Sequence, residues 1–137
     1  MATLADTNIL LRSLNPGDPH YGVVKNALAR LRLRDEALCI APQNLIEFWA
    51  VATRRVKENG LGLTSAEAEN EIVGIRRFFF LLPYTPEVLE TRQRLVVQHG
   101  VSGRQTHDAH LVAIMTVHGV QRTLTLNEAD FKTVLPG

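Results

Sequence analysis

The sequence predicts an α/β protein with a mainly parallel central sheet of four to five strands, flanked by helices on both faces. Short apolar stretches that suit buried strands alternate with longer stretches whose apolar residues recur at helical spacing. The elements run strand, helix, helix three times and end on a strand. This order favours right-handed crossovers, which bring the carboxyl ends of parallel strands to one edge of the sheet.

The length and composition indicate one globular domain that comprises residues 1–137. The formal net charge of +1, from 15 basic and 14 acidic residues, neither requires nor excludes a nucleic-acid partner. We expect no signal peptide, because the first residues lack a basic segment followed by an apolar stretch. We expect no membrane contact, because no apolar run is long enough to span a bilayer. The single cysteine, Cys39, lies in an apolar run and is expected to be buried and inert. It excludes an internal disulfide and favours a cytoplasmic location.

The first strand ends at a polar turn formed by Asp6, Thr7 and Asn8, and a helix follows. A carboxylate after a first buried strand lies where open α/β sheets hold their chemistry. Asp is also a favoured N-cap residue, so Asp6 taken alone is better explained as a helix cap. The choice depends on whether other acids reach the same edge.

The next elements are a helix over residues 20–34, a short buried strand over residues 38–41 and a second helix over residues 43–57. Pro42 opens this second helix at a position where its missing N–H costs nothing. Glu47 lies among large apolar residues of the helix. It is either an acid favoured by the helix dipole or a group held near a site.

Thr64 and Glu67 form a capping-box pattern that starts a helix, and the third strand is predicted within residues 78–82. The aromatic cluster of this strand is expected to lie in the core. Thr85 and Pro86 then start a further helix.

That helix is predicted to reach residue 99 and stop at Gly100. Thr106 is expected to cap a strongly apolar helix over residues 107–118, which Gly119 ends. The last strand is predicted over residues 122–126, and a short final helix follows it.

Four acids follow strands or lie near helix starts: Asp6, Glu47, Asp108 and Asp130. Each has its own structural explanation, since Asp6 can cap a helix, Glu47 and Asp108 suit the helix dipole, and Asp130 can pair with a capping Asn127. One acidic pocket at the carboxyl edge explains all four. Grouped carboxylates repel each other unless a cation lies between them. Oxygen ligands without clustered Cys or His select Mg²⁺ or Mn²⁺.

Such an ion binds phosphates and activates water, which is the chemistry of phosphodiester hydrolysis. Hydroxyls and amides beside the acids are expected to orient the carboxylates: Thr7, Asn8, Thr125 and Asn127. The candidates for contacts to substrate phosphates are arginines chosen by position, and each is also explained as solvated surface charge: Arg12, Arg54, Arg55 and Arg104.

Other catalytic and metal-binding classes receive less support. His107 and His110 lie three residues apart on one predicted helix, but no third soft ligand has the spacing of a zinc site. The chain has neither a G-x-S-x-G motif nor a phosphate-binding glycine loop, so serine-hydrolase and nucleotide-binding functions lack a motif.

Four segments in this order resemble the PIN-domain ribonucleases, and among them the VapC-type toxins of type II toxin–antitoxin pairs: Asp6-Thr7-Asn8-Ile9-Leu10, Asn44-Leu45-Ile46-Glu47, residues 107–113 and residues 125–131. The resemblance implies a three-layer PIN-like fold and a metal-dependent endoribonuclease, with Asp6, Glu47 and Asp108 as core acids around Mg²⁺ or Mn²⁺. It also implies a cognate antitoxin that covers the site, and a homodimer.

The chain departs from this resemblance at the end of the last strand. Many relatives carry an acid where this chain has Asn127, and others use the position of Asp130. Either residue is therefore a candidate for the fourth ligand. The RNA target does not carry over from the resemblance.

Two other function classes share an acidic pocket or this fold. A receiver-like signalling domain accepts a phosphoryl group on one Asp, but here no second acid lies beside Asp6 and no lysine closes the last strand. A non-catalytic domain of the same fold would act through protein contacts. The presence of all three core acids argues against it.

Overall fold

A computed structural model describes residues 1–103 and 105–126. In these ranges the strands are β1 (Ala2–Ala5), β2 (Ala37–Ile40), β3 (Phe80–Leu81) and β4 (Arg122–Leu124). The α-helices of the same ranges are α1 (Thr7–Ser13), α2 (Tyr21–Leu33), α3 (Pro42–Thr53), α4 (Ser65–Phe78), α5 (Pro86–Gln98) and α6 (Gln105–His118). A short 3₁₀ helix spans Val56–Glu58. The predicted order of strands and helices is confirmed, and the predicted final helix lies outside the described residues.

The strands of the described residues form a four-stranded sheet in the order β3-β2-β1-β4, and every pair is parallel. Leu4 of β1 pairs with Cys39 of β2 and with Thr123 of β4. The predicted parallel α/β sheet is confirmed. Because all the strands point the same way, their carboxyl ends share one edge, and β1 ends between β2 and β4.

Both faces of the sheet are covered, which makes three layers. Leu4 and Cys39 face a core formed with α5 and α6, whereas the next residue of β1, Ala5, faces a second core with Ile9 and Phe48. Side chains alternate between the two faces of a strand, so β1 and β2 each contribute apolar residues to both cores. Helices α1 to α4 lie over one face, and α5 and α6 lie over the other.

The helix predicted over residues 43–57 ends at Thr53, because the backbone of Arg54 is extended, with ψ at 147°. The chain then folds back on the helix. The amides of Leu61 and Leu63 donate to two carbonyls in the last turn of α3, at 3.1 and 2.9 Å. In a longer helix, these carbonyls would accept from the amides of the next helical turn; here the amides of Leu61 and Leu63 take that place.

Helix α6 begins at Gln105, so Thr106 lies inside the first turn and the prediction that it caps the helix is wrong. The last strand ends at Leu124, two residues before the predicted end. Of the aromatic cluster expected in the core, Phe79 is buried, but Phe78 and Phe80 are 36% and 64% exposed, so the prediction holds for only one of the three. Phe80 is exposed because β3 is an edge strand of the described sheet.

No helix of the described ranges is both long and apolar enough to cross a membrane.

Cys39 is buried, and its Sγ donates to the carbonyl oxygen of Thr3 at 3.4 Å. Burial raises the pKa of this thiol, and the negative charge of Glu36 adds to the effect. Because the thiolate is the reactive form, we expect native protein at pH 8 to react with a disulfide reagent about 100-fold or more slowly than unfolded protein. A colorimetric time course with and without denaturant measures the ratio. Equal rates would contradict the buried placement of Cys39.

The predicted capping box of α4 is confirmed. Thr64 Oγ1 accepts from the Glu67 amide at 3.1 Å, and Glu67 Oε1 accepts from the Thr64 amide at 2.9 Å. Two interactions with Thr64 hold the pKa of the Glu67 carboxyl below its usual value. The larger is the hydrogen bond from the Thr64 amide, and the smaller involves the Thr64 side chain.

The unfolded chain therefore takes up this proton first as the pH falls, so the stabilisation by Glu67 is full near neutral pH and is lost in acid. We expect Glu67→Gln, which keeps the box geometry, to show a smaller drop in melting temperature between pH 7 and pH 3 than the wild type. Thermal unfolding at both pH values tests this. An identical drop in both proteins would contradict a role for the Glu67 charge.

Candidate active site

Asp6 lies at the centre of the carboxyl edge, directly after the buried strand β1. Its backbone amide donates to the carbonyl of Leu124 at 3.0 Å, which continues the pairing with β4. Its Oδ1 accepts from the Thr7 amide at 2.8 Å, so Asp6 is the N-cap of α1. Its Oδ2 accepts from Thr125 Oγ1 at 3.0 Å. Asp6 is thus a helix cap, but its second oxygen also ties the ends of β1 and β4 together.

Glu47 reaches the same edge from the second turn of α3, which begins directly after β2. Thr7 Oγ1 donates to Glu47 Oε1 at 2.8 Å. Thr7 itself is buried, whereas Asp6 and Glu47 are half-buried. The structure therefore brings Asp6 and Glu47 to either side of Thr7, although they are far apart in the sequence.

Asn44 is a further member of this network. It lies in one of the segments that resemble the PIN domain, but it was not among the site residues predicted from the sequence. Its side chain has no exposed surface. Nδ2 donates to Thr7 Oγ1 at 3.1 Å, and Oδ1 accepts from the Ala41 amide at 2.8 Å. The available signal was its place in the first turn of α3, three residues before Glu47.

Asp108 lies in the first turn of α6 and is half-buried. Helix α6 leads by a short connection to the start of β4, which is parallel to β1. It therefore runs from the carboxyl edge towards the opposite edge, and its N-terminal end with Asp108 is directed to the side of the sheet that holds Asp6. In the described ranges no three Asp, Glu, His or Cys side chains form a group that could hold a metal ion. The metal site stays a prediction.

Three predicted site residues lie outside the described residues: Arg104, Asn127 and Asp130. Of the other hydroxyl and amide residues, Thr7 and Thr125 contact the carboxylates of Glu47 and Asp6. Asn8 is half-buried in the first turn of α1.

The candidate phosphate-binding arginines lie in different places. Arg12 Nη1 forms an ion pair with Asp18 Oδ2 at 2.6 Å. The His20 amide and the charge of Arg12 hold the pKa of Asp18 below its usual value. Arg54 and Arg55 are exposed after the C-terminal end of α3, about 18 Å along the helix from its start at the carboxyl edge. Their position favours the explanation that they are solvated surface charges.

Two histidines of α6, His110 and His118, make local contacts. The ring of His110 stacks on Tyr84, with centroids 5.3 Å apart and planes at 20°. His118 Nε2 lies 2.7 Å from the carbonyl oxygen of Pro83. These contacts join α6 to the segment before α5 and do not indicate zinc ligation.

The donor chemistry at the edge fits a hard divalent cation better than a soft one. Asp6 and Glu47 offer carboxylate oxygens, and their described partners in this network include hydroxyl and amide groups. Oxygen donors of this kind are the ligands that Mg²⁺ and Mn²⁺ prefer.

The solved structures similar to this chain include a chain of VapBC2 from Rickettsia felis, described as bound to a DNA fragment from their promoter. The match has a TM-score of 0.69 and 17% identity, and it covers 98% of this chain and 93% of that chain. VapC20 of Mycobacterium tuberculosis, described as a sarcin–ricin loop cleaving toxin, matches with a TM-score of 0.68 and 22% identity, and the match covers 99% and 100% of the two chains. At these identities the likeness shows a common fold.

A search of curated proteins found no match. The family model of the PIN domain, in contrast, matches residues 3–134, nearly the whole chain. That range begins at Thr3, inside β1, and includes Asp6 and every later element described above. The chain belongs to the PIN domain family.

Proposed function

We propose that this protein is a metal-dependent endoribonuclease that hydrolyses RNA phosphodiester bonds, and that it is the toxin of a toxin–antitoxin pair. The observation that carries the proposal is the pair of carboxylates, Asp6 and Glu47, joined through Thr7 at the carboxyl edge of a PIN-domain sheet. Helix capping alone explains why Asp6 accepts from the Thr7 amide, but not why Glu47 accepts from the Thr7 hydroxyl.

In this proposal, Asp6, Glu47 and Asp108 hold Mg²⁺ or Mn²⁺, with Asp130 or Asn127 as the fourth ligand. The bound ion supplies charge neutralisation at the phosphate and at the leaving oxygen, and it activates water. The residues of the chain hold the carboxylates in place. Thr125 and the Thr7 amide restrain the two oxygens of Asp6, and the Thr7 hydroxyl restrains Glu47. Such restraint reduces the reorganisation needed when the substrate binds.

The partners of the proposed enzyme are an RNA substrate, a cognate antitoxin that covers the acidic edge, and a second copy of the chain in a homodimer, all in the cytoplasm. The likeness in fold to VapBC2 supports the antitoxin, and the description of VapC20 as a toxin that cleaves the sarcin–ricin loop supports the class of substrate. The particular RNA is not part of the proposal.

The test is an incubation of the purified chain with total RNA, with a structured ribosomal RNA fragment and with a single-stranded RNA, each with Mn²⁺, with Mg²⁺ and with EDTA. We expect cleavage with at least one metal and none with EDTA. Cleavage that persists in EDTA would contradict metal dependence. Uptake of a phosphoryl group from acetyl phosphate without cleavage would support a receiver-like domain, and neither activity would support a non-catalytic one.

A further inference from the structure

Both the oxygen and the nitrogen of the Asn44 carboxamide form hydrogen bonds. Its side chain is fully buried. One end meets the Ala41 amide nitrogen at 2.8 Å and the other meets Thr7 Oγ1 at 3.1 Å. Ala41 directly precedes α3, and Thr7 begins α1. Asn44 therefore joins the starts of two helices that both lie at the carboxyl edge.

The directions of these hydrogen bonds follow from the groups themselves. The Ala41 amide can only donate, so the atom of Asn44 that faces it is the acceptor Oδ1. The other atom is then Nδ2, which donates to Thr7 Oγ1. The single proton of the Thr7 hydroxyl remains for Glu47 Oε1 at 2.8 Å. The bonds form a one-way chain from Asn44 through Thr7 to the Glu47 carboxylate.

We propose that Asn44 is a positioning residue, which through the Thr7 hydroxyl holds the Glu47 carboxylate in the orientation that binds the divalent cation. The role given to Glu47 rests on the proposed function. Asn44 does not touch the cation or the RNA. It acts by fixing the direction of the Thr7 hydroxyl, so that Oε1 of Glu47 is restrained and the carboxylate is presented in one orientation.

A role as a helix cap explains only half of the geometry. An acceptor atom near the Ala41 amide would be enough to cap α3. The second half of the carboxamide is buried against the Thr7 hydroxyl instead of reaching solvent, and that hydroxyl in turn donates to Glu47. The link from Asn44 to Glu47 thus serves the carboxylate as well as the helix.

The test compares Mn²⁺ dissociation constants, measured by calorimetry, for the wild type, Asn44→Ala, Thr7→Val and the double variant. We expect each single variant to bind Mn²⁺ about 10-fold more weakly, as for other groups that orient a metal ligand. Because both act through one bond to Glu47, the double variant should bind no more weakly than Thr7→Val alone. Thr7→Ser keeps the hydroxyl and should retain wild-type affinity.

A purely structural role of Asn44 gives a different pattern. It would lower the melting temperature of Asn44→Ala and leave its Mn²⁺ affinity at the wild-type value, or the losses in the double variant would multiply. Either result would overturn the proposal. If Asn44→Ala does not fold, Asn44→Ser takes its place, because serine keeps a hydroxyl at the helix start but is too short to reach Thr7.

A second measurement needs no metal. Three-bond NMR couplings report the χ1 rotamer of Thr7 in the metal-free protein. We expect one rotamer in the wild type and averaged couplings in Asn44→Ala, and unchanged couplings would overturn the proposal by themselves.

If the wild type neither binds Mn²⁺ nor cleaves RNA, the proposed function fails and the cation role of Asn44 fails with it. If the wild type binds Mn²⁺ and the variants bind it equally well, only the role of Asn44 fails.

Discussion

Replacement of Asp6 by asparagine is expected to lower RNA cleavage by about 100-fold or more while the melting temperature stays close to the wild-type value. An asparagine Oδ1 can still accept from the Thr7 amide, and asparagine is as good an N-cap as aspartate. Its Nδ2 can donate to Thr125 Oγ1, because a hydroxyl accepts as well as donates. The substitution therefore removes a charge and little else. Cleavage rates and thermal unfolding of the same preparation measure the two effects.

The matched control for this substitution is Asp35→Asn. Asp35 is exposed, and it precedes β2 at the opposite edge of the sheet. Its φ of 56° is a left-handed conformation that asparagine tolerates well. We expect wild-type cleavage and stability from this variant. Wild-type cleavage by Asp6→Asn as well would mean that Asp6 is only a helix cap, and the proposed site would be wrong.

Replacement of Gly60 by alanine is expected to destabilise the protein by about 3 kcal/mol. A Cβ at this position would lie 2.1 Å from the carbonyl oxygen of Arg54 and 2.4 Å from its carbonyl carbon. These are backbone atoms, so no rotamer change relieves the overlap. The turn after α3 would have to open, which would disturb the bond from the Gly60 amide to the Arg55 carbonyl at 2.9 Å. Denaturant unfolding measures the loss.

Gly74→Ala is the control for this prediction. Gly74 lies within α4, and a Cβ there would meet no atom within 4 Å. Alanine is favoured over glycine inside a helix, so this variant is expected to stabilise the protein by about 0.5–1 kcal/mol. If both alanine variants change the free energy of unfolding equally, the close approach of Gly60 to Arg54 is not present in solution.

Local chemistry made most of the elements predictable. Pro42 opens α3, Thr64 and Glu67 cap α4, and the positive φ angles of Gly100 and Gly119 follow the ends of α5 and α6. Each of these signals depends on the conformational preference of one residue or on a bond between close neighbours. Such preferences act in the same way wherever the segment lies in the fold.

Features that depend on distant contacts were less accessible. The early end of α3 at Thr53 follows from amides ten and eleven residues further along the chain, which donate to carbonyls in its last turn. The exposure of Phe80 follows from the place of β3 at the edge of the described sheet. Neither the spacing nor the composition of these segments contains that information.

Apolar periodicity and turn residues act locally, so they were enough to predict an α/β domain whose acids follow strand ends. Which of its groups meet depends on how the strands and helices pack. Asp6 and Thr125 are 119 residues apart, and Thr7 and Glu47 are 40 residues apart. The role of the buried Asn44 side chain likewise follows from its two hydrogen-bond partners and not from its place in the sequence. Hydrogen bonds need atoms within about 3 Å, and it is the pairing of β1 with β2 and β4 that brings these atoms to that distance.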